Sequence, residues 1–111
     1  GKDIQQVWKE IPNDTDILIT HGPPHSILDE VERMGYTKNT GCELLYKRVF
    51  EINPILHCFG HIHDQHGYEK VKETTFINAS ICDGENNNIY HPIVIDLKEI
   101  NGKFEVFPVK I

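Results

Sequence analysis

Three histidines stand where they could hold a metal ion. His61 and His63 lie in Gly60-His61-Ile62-His63, directly after the apolar run Ile55-Leu56-His57-Cys58-Phe59. His21 follows a second run of the same kind, Asp16-Ile17-Leu18-Ile19-Thr20. Imidazole suits transition metals, and converging imidazoles can chelate one ion. In a strand, residues i and i+2 lie on one side, so alternation predicts that His61 and His63 project together from the strand tip. Gly60 frees the backbone to turn there, and Pro23-Pro24 stiffens the segment after His21. Two short apolar strands, each delivering histidine at its C-terminal end, describe a site on one rim of a sheet. Open α/β folds take their ligands there.

The elements that must position these residues follow from periodicity and turn chemistry. Ile4, Val7, Trp8 and Ile11 have helical spacing and predict a short amphipathic helix that Pro12 ends. Ser26 to Met34 reads as a second helix, capped by Ser26, acidic at Asp29 and Glu30, and stopped by Gly35. Tyr36 to Thr40 then reads as a polar loop. Thr40-Gly41-Cys42-Glu43 has capping-box spacing and predicts a helix to about Ile52, which Asn53-Pro54 breaks. Strand, helix and strand in that order imply a parallel pair. Asp64 to Gly67 reads as a loop, Thr74 to Ile77 as a strand, and Ser80 to His91 as a long surface loop. Pro92 to Ile100 and Lys103 to Val109 flank Asn101-Gly102, a hairpin signal that demands a type I′ turn. His57, inside an apolar strand, reads as a hydrogen-bonded core histidine. Trp8 reads as a core anchor and Asn78 as a polar strand end. His25 and His66 are left outside the metal set as loop residues.

Composition sets bounds on this picture. The 111 residues fit one small domain, and 39% hydrophobic content is ordinary for a soluble protein. A formal charge of −6 without a basic stripe argues against a nucleic-acid polymer as partner. The same charge would repel a phosphorylated small molecule unless bound cations reverse the local field. Three cysteines, Cys42, Cys58 and Cys82, form no CxxC pair and no closed framework, which points to a reducing, cytoplasmic compartment. No apolar run approaches membrane-spanning length and no signal peptide is visible. The chain opens at Gly1 rather than Met, which suggests a trimmed chain, a processed product or a fragment.

Thr20-His21-Gly22-Pro23-Pro24 and Gly60-His61-Ile62-His63 resemble the last two of the five motifs of the calcineurin-like metallophosphoesterases. Asp16 to Thr20 before the first, and Ile77-Asn78-Ala79-Ser80 after the second, resemble the metallophosphoesterase-domain-containing subgroup, which includes cyclic-nucleotide phosphodiesterases. The resemblance runs from about Val7 to Leu97. It implies the C-terminal half of a four-layer αββα sandwich, with a mixed sheet and a C-terminal hairpin. It also implies two divalent metal ions (Mn, Fe or Zn) acting on a phosphoric mono- or diester. By that resemblance His21 and His61 serve one metal and His63 the other. The family's first three motifs, with the bridging aspartate, do not occur, since Asp64-Gln65-His66 spells Asp-x-His but follows the last motif. One chain would therefore carry at most a partial site and little activity by itself. Two functional expectations follow. One is part of a dinuclear phosphoesterase, completed by an N-terminal half or by self-association. The other is a non-catalytic metal-binding or oligomerising module.

Overall fold

Leu56-His57-Cys58-Phe59 is short, apolar and bounded by Pro54 and Gly60, a pattern that favours an inner strand over a helix. A computed structural model describes residues 3–83, 85 and 87–110 and bears this out. In chain order the elements are α1 (Ile4–Lys9), β1 (Ile17–Ile19), β2 (Glu30–Arg33), β3 (Tyr36–Asn39), α2 (Glu43–Ile52), β4 (Leu56–Phe59), β5 (Gly67–Val71), β6 (Thr74–Asn78), β7 (Val94–Ile100) and β8 (Lys103–Lys110). The domain is mixed α/β. A four-stranded sheet has the order β1-β4-β6-β5, and the β2-β3 and β7-β8 ribbons stand apart from it. β1 and β4 are parallel, joined through α2 as the strand–helix–strand order requires, and β4 and β6 are also parallel. β5 returns antiparallel on β6 and makes the sheet mixed.

Register decides which side chains become core. Leu18 lies opposite His57 and His57 opposite Phe76, so these three share the face on which the helices pack. Leu18, Ile27, Leu45, Val49, Phe59 and Phe76 form the buried cluster there, with Trp8 and Ile11 of the α1 region against it. Arg48 of α2 ties that region down, its guanidinium donating to the carbonyls of Trp8 and Ile11 and to Asn13 Oδ1. The opposite face is closed over Leu56 and Ile77 but open along β1, where Ile17 is 43% and Ile19 76% exposed.

Several expectations need correction. Ser26 to Met34 is not a helix. Ser26 and Leu28 take left-handed backbone, at φ 70° and 49°, and the segment runs into the β2-β3 hairpin. The helix over Glu43–Ile52 is capped by Cys42 rather than Thr40, with the Leu45 N–H donating to Cys42 Sγ. α1 ends at Lys9, short of Pro12. β5 replaces part of a loop beyond His66. The C-terminal ribbon is as expected, and Asn101 and Gly102, at φ 54° and 81°, have the signs a type I′ turn needs. In the surface loop over residues 80–91, Gly84 and Asn86 lie outside the described residues. Among the described residues no helix is long and apolar enough to cross a membrane.

Candidate metal centre

β1 and β4 are neighbours, and their ladder continues past both ends: Thr20 N–H donates to the Cys58 carbonyl and Gly60 N–H to the His21 carbonyl, each at 3.0 Å. That ladder carries the two histidine segments to the same height on the rim. His61 adopts a left-handed backbone with φ 71°, which costs a non-glycine residue about 1 kcal/mol and turns the chain off the strand axis. The rings of His21 and His61 then lie 4.7 Å apart at a 39° tilt. Both side chains border a cavity of about 530 Å³ that His63 also lines, together with Thr20, Cys58 and Ser80.

His63 reaches this cavity by a different route from the one alternation suggested. β4 has already ended at Phe59, Ile62 is buried, and His63 opens a 3-10 turn. Its Nδ1–H donates to the Asp83 carbonyl at 3.0 Å. In the neutral ring, donation from Nδ1 leaves the Nε2 lone pair free, the arrangement common in metal-ligating histidines. The donor chemistry of His21, His61 and His63 therefore fits a transition metal. Among the described residues, however, no group of three or more His, Cys, Asp or Glu side chains stands close enough to hold an ion. The fold brings His21 and His61 together as a pair and leaves His63 on the same cavity wall.

Around the pair the backbone is fixed from several sides. His57 is fully buried and donates from Nε2 to Thr20 Oγ1 at 2.9 Å, and Thr20 Oγ1 donates to the Gly22 carbonyl at 2.7 Å. This two-bond chain links the middle of β4 to the turn beside His21. It leaves His57 Nδ1 buried without a partner. Burial lowers the His57 pKa to about 4, so the ring is neutral at physiological pH. Asn78 does more than end a strand. It is fully buried, its Nδ2 donates to the carbonyls of Ile62 and Leu28, and its Oδ1 accepts from Ser80 N–H. Burial pushes the Cys58 thiol up, which keeps it protonated and a poor ligand. Backbone N–H groups of Asn87 and Glu85 hold the Asp83 carboxyl below its usual range.

Sequence reasoning missed Thr20, Ser80 and the Asp83 carbonyl as parts of this rim. Thr20 could have been found from its place beside His21; a main-chain acceptor leaves no mark in residue type. His25 pairs with Ser26 Oγ away from this cavity, and His66 donates to the Ser80 carbonyl while stacking on Tyr90 at 4.6 Å.

No family model matches the chain. A UPF0046 protein of Caenorhabditis elegans is 43% identical over 94 residues, which is 85% of this chain and 31% of that protein. Human metallophosphoesterase domain-containing protein 1 is 43% identical over 98 residues, 87% of this chain and 29% of its own length, and the mouse protein matches equally. The chain thus spans about a third of the length of the curated relatives it matches.

Proposed function

We propose, from the kinship of this chain with the metallophosphoesterase-domain family, that it supplies part of a dinuclear, metal-dependent site for hydrolysing a phosphoric mono- or diester, with cyclic nucleotides among the candidate substrates. The observation that carries this reading is the His21–His61 pair, rings 4.7 Å apart at the C-terminal ends of adjacent parallel strands. In this reading His21 and His61 serve one ion and His63 a second. Mn, Fe and Zn all fit the imidazole donors. When bound, such ions polarise a phosphoryl group and activate water. The chain's own contribution is positional. The Asp83 carbonyl sets the tautomer of His63, and the His57–Thr20 bonds hold the turn beside His21.

The same reading requires further ligands, a bridging carboxylate among them, from residues beyond these. The relatives are about three times as long as the segment matched, which leaves room for a further portion as their source, an N-terminal one by the family resemblance. The free cysteines among the described residues suit a reducing, cytoplasmic setting. The exposure of Ile17 and Ile19 along β1 favours a second reading, a non-catalytic module that associates through this face.

Calorimetric titration with Mn²⁺ and Zn²⁺ tests the first reading. His61→Ala is expected to weaken binding at least about tenfold. Unchanged affinity removes His61 from the ligand set, and with it the dinuclear assignment.

A further inference from the structure

The β2-β3 hairpin has two chemically different faces. Its register sets Val31 opposite Lys38 and Arg33 opposite Tyr36, so these four share one side, while Glu30, Glu32, Thr37 and Asn39 share the other. The side bearing Val31 and Arg33 borders a second cavity, of about 410 Å³. Trp8, Pro23, Leu45 and Ile62 give that cavity apolar walls. His21 and His61 line it too, and are shared with the larger cavity already described. Among the described residues Arg33 has no carboxylate within ion-pair distance. In a chain of formal charge −6, the hairpin thus turns its basic side toward the histidine pair and its acidic side away.

We propose that this second cavity receives the organic part of a phosphoric ester. Its phosphoryl group lies by His21 and His61, an aryl-sized apolar group lies between Trp8 and Val31, and Arg33 is the countercharge for the anion. A guanidinium suits this task because its planar fork matches phosphoryl oxygens two at a time. Apolar walls alone would bind a neutral aryl compound, and a cation alone would bind free phosphate. The two side by side select a molecule that carries both. The inference rests on the phosphoesterase reading and adds to it the chemical class of the substrate and a specificity residue.

Trp8 is the chain's sole tryptophan, so its fluorescence reports on this cavity. Phenyl phosphate added to the chain in Mn²⁺ should change that signal saturably, with inorganic phosphate and phenol each binding about tenfold more weakly. Arg33→Ala should weaken phenyl phosphate about tenfold, and Arg33→Lys should restore part of the loss. Arg33 is exposed, so neither change threatens the fold, and circular dichroism verifies this. No saturable change, or equal binding by wild type and Arg33→Ala, overturns the inference. His61→Ala separates the two readings. If it loses Mn²⁺ while Arg33→Ala leaves phenyl phosphate untouched, the cavity assignment fails and the metal site stands. If Arg33→Ala weakens phenyl phosphate while His61→Ala still binds Mn²⁺ normally, the metal site fails and the cavity assignment stands.

Discussion

The two hairpins outside the main sheet are built on opposite plans. At the base of β2-β3 stands Asp29, fully buried, whose carboxylate accepts from Ser26 N–H, Asn39 Nδ2 and Gly41 N–H, each at 2.8 Å. Its carbonyl accepts from Thr40 N–H and Thr40 Oγ1. The β7-β8 ribbon is longer, and among the described residues its strands pack extensively only on each other. It relies on register, on the Asn101-Gly102 turn and on contacts such as Lys98 over the Phe107 ring at 5.1 Å. One hairpin is held from below by a charge and forms a wall beside the histidine pair. The other is nearly self-contained. A ribbon that must keep a cavity in shape cannot rely on its own ladder, because a lone two-stranded hairpin is marginal in water.

The contrast can be broken most directly at its anchor. Asp29→Ala leaves several buried donors without an acceptor and is expected to lower stability by about 4 kcal/mol. The shift in the urea midpoint measures it, and a loss below about 1 kcal/mol would show that the hairpin base is not anchored as described.

A smaller effect sharpens the site side of the comparison. His57 titrates at about 4 when folded and near 6.5 when unfolded, so the unfolded chain holds the proton more tightly. Its contribution is complete above about pH 6.5 and is lost as pH falls toward 4, a change of about 3 kcal/mol. Urea midpoints followed from pH 7 to 4.5 should fall, and His57→Gln should flatten that part of the fall. A parallel fall in the variant would place the proton uptake elsewhere.

The smallest effect belongs to the free ribbon. Gly102→Ala places a Cβ at φ 81° and should cost about 1 kcal/mol, confined to β7-β8. Faster amide exchange in the ribbon, with an unchanged main unfolding transition, is the expected result. Loss of the main transition would mean that the ribbon supports the sheet after all.

What could be read from residue order divides along similar lines. Leu56 to Phe59, the strand before His21 and the Asn101-Gly102 turn were legible because each depends on local pattern and turn chemistry. The meeting of His21 with His61 was legible because parallel strands joined by a helix share one C-terminal rim. The stretch from Ser26 to Met34 misled because Ile27, Val31 and Met34 have helical spacing beside a plausible cap. Asp29 wins there: its carboxylate gathers donors from positions on both sides of the hairpin, and no local propensity encodes that. Gly35 was read as a helix stop, yet with Met34 it forms a turn in which both residues have positive φ, at 51° and 83°. β5 was missed because it turns into β6 through Lys72, left-handed at φ 55°, where no glycine advertises the bend.

The parallel pairing of β1 with β4 has one more consequence, which concerns the order of folding. His21 and His61 are distant along the chain and become neighbours only when the whole intervening stretch has closed. Such closure is entropically slow, because non-local pairings are rewarded only after the loop between them has been gathered in. A nascent or partly opened chain therefore presents scattered imidazoles rather than a ready-made chelator. If His21 and His61 serve an ion as proposed, its capture is a late event, coupled to completion of the sheet.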